Sequence, residues 1–437
     1  MKSDRPKVLN AVCGRPMIGH VIAAGADLAP ARVMVVTAPA QDAVRAAVAP
    51  AETCIQAVPR GTGDAVGRAL AALGPFDGPV VIAYGDMPLV TGEVLRRALD
   101  ALPAEGEGIA VLGFNLEGEH AYGRLVLDDT GGLASIVEAA DATEEEKVIT
   151  LCNSGLMAAS SGDLLAGLID RLTPDNAKGE LYLTDVVALA RADGIPCLAA
   201  EADSAILIGV NTRAELARAE AAMQTRLRDT AMAAGATLID PATVYFTFDT
   251  ELGRDVVVGP HVWFGPGVSV ADEVEIRPYC HIEGARIQSG AIIGPFARLR
   301  PGAEIGRDVH IGNFVEIKAA VIEEGAKVNH LSYVGDSRVG ADTNIGAGTI
   351  TCNYDGFDKH HTDIGSGTFI GSNTALVAPV VIGDGAVIGA GSVITGDVPG
   401  DALAVVRGTE KVAPGGAARY RARKGRTAAP KVSGGKG

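Results

Sequence analysis

The sequence predicts two folds in one chain. An α/β layered domain over residues 1–211 is joined by a helical arm, 212–234, to a parallel β-helix over 235–407, and a basic tail follows over 408–437. Three observations predict this. Short β-branched apolar runs alternate with alanine-rich amphipathic stretches in the first half. Between Thr212 and Ala234 that alternation gives way to an apolar spacing near 3.6 residues. Beyond it, apolar residues recur at every sixth position, too short a period for a helical repeat and suited to coils of three short strands.

In the first half, Arg32–Thr37 and Pro79–Tyr84 read as buried parallel strands, and Gly63–Leu73 and Gly92–Leu102 as helices packed on them. Such a layered domain places its site at the carboxyl ends of its strands. The arm carries Leu216, Met223 and Leu227 on one face. The hexad then runs through Leu252, Val258, Phe264, Val270, Ile276 and Ile282. One residue is dropped before Ile287, Ile293, Leu299, Ile305, Ile311 and Ile317, and further deletions precede Ile322, Val328, Val334 and Val339, Ile345. After an insertion it resumes at Ile364, Ile370, Leu376, Ile382, Ile388 and Ile394. About eight coils result, with the apolar residue pointing inward and glycine or another small residue expected to turn each corner. Of 56 glycines, 25 lie in residues 251–400, which gives the glycine excess a structural address.

Composition narrows the function. With 47% hydrophobic and 21% charged residues the chain has enough apolar surface to bury cores. A net charge of −15 argues against nucleic acid as the main partner. The exception is the tail, where Arg419, Arg421, Arg423, Lys424, Arg426, Lys431 and Lys436 occur without an acid, interleaved with Gly, Ala and Pro; it reads as a disordered arm. Six scattered cysteines form no disulfide framework, and no apolar run approaches a membrane span. The expectation is a cytoplasmic enzyme without a membrane partner.

A regular prism has no cleft, so chemistry is expected where the hexad breaks. The largest break, Cys352–Asp363, contains Asn353-Tyr354-Asp355-Gly356 and Lys359-His360-His361. Shortly before it lies His330, whose imidazole can accept a proton near neutral pH. For an isolated residue a surface histidine is the blander reading. Its basic neighbours Arg300, Lys318 and Lys359 point instead to an anion site for a phosphate. A metal site from Cys352, His360, His361 and Asp363 fits no standard zinc spacing.

These residues resemble a known family, the bacterial bifunctional N-acetylglucosamine-1-phosphate uridylyltransferase and glucosamine-1-phosphate N-acetyltransferase. The similarity extends to about Arg407. It is most specific in Gly294-Pro295-Phe296-Ala297-Arg298-Leu299-Arg300-Pro301-Gly302, Asn344-Ile345-Gly346-Ala347-Gly348-Thr349, Cys352-Asn353-Tyr354-Asp355-Gly356 and Leu376-Val377-Ala378-Pro379. The resemblance implies a Rossmann-like nucleotidyltransferase domain, a left-handed β-helix and a homotrimer. By it, His330 is the general base that deprotonates the amine of glucosamine 1-phosphate for direct attack on acetyl-CoA. Arg300, Lys318, Tyr333 and Asn344 hold the sugar phosphate; Ala347, Asn353, Tyr354, Ser372, Ala390 and Arg407 line the acetyl-CoA groove. In the first domain Lys7, Gln56, Gly61, Thr62, Tyr84, Gly85, Asp86, Gly123, Glu138, Asn153 and Asn211 are implied to bind UTP and the sugar nucleotide. Asp86 and Asn211 are implied ligands of Mg²⁺.

In that family a strand and a glycine-rich loop precede the segment matching Ser3–Leu9, and Met1 stands where the last methionine of the loop motif would be. Such loops bind triphosphate through fixed N–H groups, each worth about 2.7–4 kcal/mol of transition-state stabilisation. The expectation is a poor uridylyltransferase as the sequence is written, explained by a start codon assigned too late; a genuine truncation is the second explanation. A single-activity acetyltransferase with a relic first domain and a non-catalytic oligomerising β-helix are the competing readings. A lipid-A-type acyltransferase is more distant, since it leaves the first domain unexplained.

Overall fold

The computed structural model describes residues 1, 3–118 and 120–423, and divides the chain into two compact units, Met1–Ser269 and the residues from Val270 onward. The first unit is built on a mixed sheet in the order Cys197–Glu201, Ile109–Asn115, Leu151–Ala159, Arg124–Leu127, Leu133–Val137. Six of the seven residues of Ile109–Asn115 are buried, because both faces of the strand are covered. Ile109 and Val111 face a core with Leu125, Leu165 and Val187. Ala110, Leu112 and Phe114 face another with Val94 and Leu95. Full burial of each large side chain contributes about 1.5–3 kcal/mol.

The two strands expected to be buried and parallel correct that reading in part. Met34–Thr37 does pair in parallel, with Glu52–Ile55, in a separate two-stranded sheet. Val80–Ile82 pairs antiparallel with Leu151–Ala159 instead. Both strands are mostly half-buried. An apolar run specifies a strand, but its direction is set by a partner 75–79 residues away in this chain.

Both expected helices form, as Thr62–Leu73 and Gly92–Asp100, and the arm is the helix Arg213–Ala233. Its start is fixed by a capping box: the Thr212 hydroxyl accepts from the Glu215 N–H while the Glu215 carboxylate accepts from the Thr212 and Asn211 N–H groups. The hexad has already begun within this unit, with Val258 and Phe264 fully buried and Leu252 half-buried.

From Val270 to Ala404 the chain is a three-walled prism, and every inward hexad residue from Val270 to Ile394 is buried. The first wall stacks Ile292–Ile293, His310–Asn313, Lys327–His330, Asn344–Ile345, Phe369–Ile370 and Val387–Ile388 in parallel register. The long strands Glu316–Ile322 and Tyr333–Val339 each run along the second wall and round into the third. The second wall continues with Ile350–Cys352 and Ala375–Val377, the third with Thr362–Ile364 and Val380–Ile382. A second inward residue lies two positions before the apolar one and is small: Ala291, Ala297, Ala303, Ala326, Thr343, Thr368 and Ser392 are all buried.

The corner expectation needs correction. Residues in the left-handed region at the corners include Tyr279, Phe296, Asp308, Phe314, Leu331 and Asp342 as well as glycines. The glycine after the inward residue has a different cause, close approach of the next coil. A Cβ at Gly312 would lie 1.9 Å from the Asn329 carbonyl oxygen, and one at Gly346 2.6 Å from that of Ile370. The tail also departs from expectation: Gly416–Arg423 is a helix carrying Arg419, Arg421 and Arg423, as its alanine and arginine content favours. Lys424, Arg426, Lys431 and Lys436 lie outside the described residues.

Candidate active site

In the first unit the chain enters from the strand Val80–Ile82 into Ala83-Tyr84-Gly85-Asp86. Gly85 packs closely: a Cβ there would press on the Ile18 and Val8 side chains at 3.2–3.4 Å. The Asp86 carboxylate and the Asn211 amide oxygen converge on one point, which the Lys7 ammonium holds at 2.5 and 2.8 Å. Two structural bonds fix the pair, since the Val210 N–H donates to the Asp86 carbonyl at 2.9 Å and the capping box anchors Asn211. Thus Lys7, Asp86 and Asn211, separated by up to 204 residues, meet at one point, where the resemblance pairs only Asp86 with Asn211.

A second group surrounds Tyr84. Its hydroxyl faces the Thr62 side chain, and its ring lies over Gly155, where a Cβ would come within 2.2 Å. Burial first, then the negative Glu138, pushes its phenol up to about 12, so it stays a neutral donor. Gln56 donates to the Gly61 carbonyl at 3.1 Å and to Asp64 at 2.7 Å. Gly61, at φ +112, has no room for a side chain against Leu181. Thr62 accepts from the Leu183 N–H at 3.0 Å. Gly123, Glu138 and Asn153 form the third group: Asn153 N–H donates to the Gly123 carbonyl at 2.8 Å, and the Glu138 carboxyl lies beside Gly123. Burial raises the Glu138 carboxyl above its ordinary range. Tyr84 therefore stands between Thr62, the Glu138 carboxyl and the cation point at Asp86.

In the prism, His330 ends a first-wall strand and is exposed. Its register partner one coil below is Asn313, whose Oδ1 takes the His330 Nδ1–H at 2.8 Å. That bond leaves the Nε2 lone pair directed outward, as a general base requires. Ala347, Ser372 and Ala390 stack above His330 on successive coils of the same corner. The Gly348 N–H donates to the His330 carbonyl at 3.2 Å. The Asn373 N–H donates to Ala347 and the Gly391 N–H to Ser372, both at 2.8 Å. Arg407 closes the column with a 3.3 Å bond to the Ala390 carbonyl.

On the second wall the outward residues Arg300 and Lys318 lie one coil apart. Arg300 donates to Glu316 at 2.8 Å, and Lys318 to Asp336 at 3.2 Å. The bond to Glu316 holds the Arg300 guanidinium firmly charged. Tyr333 leans along its strand over Gly335 and accepts from Asn353 at 3.4 Å. Asn353 also bonds Asp336, which joins it to this cation cluster rather than to the Ala347–Ala390 column.

The expelled segment is a closed hairpin. The His360 N–H returns to the Asn353 carbonyl at 2.8 Å, Tyr354 bridges to Lys359, and the Tyr354 hydroxyl donates to Gly356 at 2.7 Å. Lys359 is thereby brought against Lys318, whose nearby charge lowers its proton affinity. Asn344 belongs to the first wall, paired with Lys327 and Phe369, and is not brought into the Arg300–Lys318 cluster of this one chain. The residues of the metal reading also stay apart: His360 bonds Asp355 at 2.8 Å and Asp363 pairs with Arg338 at 2.8 Å. Sequence reasoning missed Asn313, Asp336, Glu316 and Gly335. The signal was available, because each lies one coil, or 16–18 residues, from its partner: 313 from 330, 336 from 318, 316 from 300, and 335 from 351.

A layered domain with a cation point at a strand end, followed by a hexad prism with an oriented histidine and a cation cluster, defines a bifunctional transferase. The MobA-like NTP transferase domain family matches residues 1–153, and the bacterial transferase hexapeptide family matches 284–319 and 361–396. A bifunctional protein GlmU of Paramagnetospirillum magneticum is 56% identical over 427 residues, 97% of this chain and 94% of that protein. Those of Rhodospirillum rubrum and Sphingopyxis alaskensis are 57% and 51% identical, covering 97% and 96% of this chain and 94% and 93% of theirs. The chain belongs to the GlmU family of bifunctional proteins. No helix among the described residues is long and apolar enough to cross a membrane.

Proposed function

We propose that the chain makes UDP-N-acetylglucosamine in two steps, acetyl transfer on the prism and uridylyl transfer in the first unit, with His330 as the base of the first. The observation that carries this is the His330–Asn313 bond beside the Arg300, Lys318 and Lys359 cluster. Glucosamine 1-phosphate places its phosphate on these cations and its amine toward Nε2. His330 takes a proton from the amine, whose nitrogen attacks the thioester carbonyl carbon. The carbon–sulfur bond breaks, and the leaving thiolate of coenzyme A takes the proton from the imidazolium. The Ala347–Ala390 column offers acetyl-CoA a line of backbone groups, with coils about 4.8 Å apart, ending at Arg407; Tyr354 belongs to the hairpin, at a different corner of the same prism.

In the first unit, Gln56, Gly61 and Thr62 face the uracil, and Gly123, Glu138 and Asn153 the sugar. The two oxygens at Asp86 and Asn211, already turned toward a cation, suit Mg²⁺, which takes few protein ligands and completes its shell with phosphates. Bound there, the metal would neutralise phosphate charge in the transition state. Lys7 then turns to the phosphates. A phosphate oxygen of N-acetylglucosamine 1-phosphate attacks the α-phosphorus of UTP, and pyrophosphate leaves.

The domain limits 1–211, 212–234, 235–407 and 408–437 follow the changes of pattern in the sequence. A homotrimer is supported by an exposed ladder at one corner, where Tyr279, Phe296 and Phe314 stack at 4.9 and 5.2 Å and Leu331 continues the column beside His330. A neighbouring prism would bring Asn344 into the site. The soluble substrates and six free cysteines agree with a cytoplasmic location.

The test follows both products. Purified chain is given glucosamine 1-phosphate, acetyl-CoA and UTP with Mg²⁺, and thiol and UDP-N-acetylglucosamine are measured. His330→Ala should abolish thiol release while preserving uridylyl transfer from supplied N-acetylglucosamine 1-phosphate. Unchanged thiol release would sink the assignment.

A further inference from the structure

We infer that Asp336 is a positioning residue for acetyl transfer, whose carboxylate ties the Asn353–His360 hairpin to the phosphate-binding lysine. The inference rests on the reading of Lys318 as a phosphate ligand. Asp336 sits at the corner between the second and third walls, in the strand Tyr333–Val339. Its φ of +48 turns the side chain outward at a position where one coil below stands Ala319, and below that Gly302, both also left-handed. Aspartate adopts this conformation at less cost than most residues.

One carboxylate oxygen serves two partners. Oδ2 accepts from Lys318 Nζ at 3.2 Å and from the Asn353 side-chain amide. Asn353 is the first residue of the hairpin, whose base is closed by the His360 N–H on the Asn353 carbonyl at 2.8 Å. The hairpin's far arm then returns Lys359 to Lys318. Three cations, Arg300, Lys318 and Lys359, thus face one place. Glu316 neutralises the first of them from the Arg300 side, and Tyr333 and Asp336 face Lys318. Toward Lys359, Asp336 is the acid that opposes the repulsion of Lys318 and Arg300. Opposite charge favours an ammonium, and like charge disfavours it.

Two consequences follow. Removing the carboxylate frees the Asn353 end of the hairpin and the Lys318 side chain, which weakens substrate binding more than the chemical step. It also leaves the lysine pair uncompensated, so Lys359 loses its proton at lower pH. The sign is fixed: Asp336 raises the proton affinity of Lys359, so its loss moves the alkaline rise in KM downward in pH.

The experiment measures KM for glucosamine 1-phosphate and kcat, by thiol release, from pH 6.5 to 9.5 for the full chain and for Asp336→Asn, Asp336→Ala and Lys318→Met. The expected result for Asp336→Asn is a KM raised about tenfold with kcat within threefold, and an alkaline rise in KM at least half a pH unit earlier. Asp336→Ala should show the same shift with a larger KM, because Asn can still hold Asn353. The thermal melting transition followed by circular dichroism reports that each variant is folded. A KM and pH profile for Asp336→Asn matching the parent, with Lys318→Met impaired, overturns the role of Asp336 alone. An unimpaired Lys318→Met overturns the phosphate reading beneath it.

Discussion

Gly335 gives the most direct test of how the second wall shapes the acetyl-transfer site. It is buried, its φ lies outside the left-handed region, and its N–H donates to Thr351 Oγ1 at 2.9 Å. Alanine is therefore compatible with its backbone, and the substitution acts through one added methyl group. That Cβ would lie 2.3 Å from Tyr333 Oη and 2.6 Å from Cζ, where ordinary contact begins at 3.4 Å. The difference, 3.4 − 2.3, means the phenol must retreat by 1.1 Å, which breaks its already long 3.4 Å bond from Asn353. A misplacement of about 1 Å in a positioning group costs up to about 100-fold in rate, or about 2.7 kcal/mol. Gly335→Ala should thus lower kcat/KM for glucosamine 1-phosphate by about 10–100-fold. Its melting temperature should hold, because Gly→Ala at a compatible position restricts the unfolded chain and offsets the local strain. The assay is thiol release with the sugar phosphate titrated, and uridylyl transfer is the internal control. Tyr333→Ala sharpens it: in that background Gly335→Ala should add nothing, since the clash has gone. A kcat/KM within twofold of the parent in the single variant would refute the reasoning.

Other outcomes follow from the same geometry. Asn313→Ala frees the His330 ring and should lower kcat for acetyl transfer about 10-fold or more without changing KM for acetyl-CoA; an unchanged kcat would mean that the Asn313 bond does not orient the base. Asp86→Asn removes the carboxylate from the cation point and should raise the Mg²⁺ concentration for half-maximal uridylyl transfer, with thiol release unaffected. Thr212→Ala removes a helix cap worth about 1 kcal/mol; it should lower the melting temperature of the first unit and raise the Mg²⁺ concentration for half-maximal uridylyl transfer through Asn211. Burial raises the Glu138 carboxyl, so the folded state holds that proton more tightly than the unfolded chain does. The stability this confers is present below the ordinary glutamate range and is lost as pH rises through the folded value. Glu138→Gln should therefore raise the melting temperature at pH 7.5 and have little effect at pH 4; an equal gain at both would contradict the assigned cause.

The prism was legible because a single periodic rule fixes it. Each inward position from Val270 to Ile394 is buried, and the rule fails only at Leu252, which is half-buried. The direction of Val80–Ile82 was not legible, since its antiparallel partner lies in Leu151–Ala159 and nothing local records that pairing. His330 and the cations were found by looking where the period breaks. Asn313 and Asp336 were missed because reading along the chain shows neighbours in sequence, whereas their partners are neighbours in the ladder. The resemblance supplied Gln56, Gly123, Glu138, Asn153 and Asn211, none of which has a local signal strong enough to stand alone. What it could not supply was Lys7 between Asp86 and Asn211, a relation visible only once residues 204 apart are brought to 2.8 Å.

The inward residues step by six around two corners of the prism without exception from Ile276 to Ile394. All variation falls at the remaining corner, between the second wall and the third: 282 to 287, 299 to 305, 317 to 322, 334 to 339, 351 to 364, 376 to 382. That corner carries Gly302, Ala319, Asp336 and the hairpin. Each new coil takes its frame from the backbone beneath it, so a change in chain length at this corner dies out within one turn. The prism is memoryless in this sense, and the edge beside the phosphate cluster is where sequence can be added or removed without consequence for the rest. A family built on such a frame can retune its substrate pocket by length as well as by side chain, and do so one coil at a time.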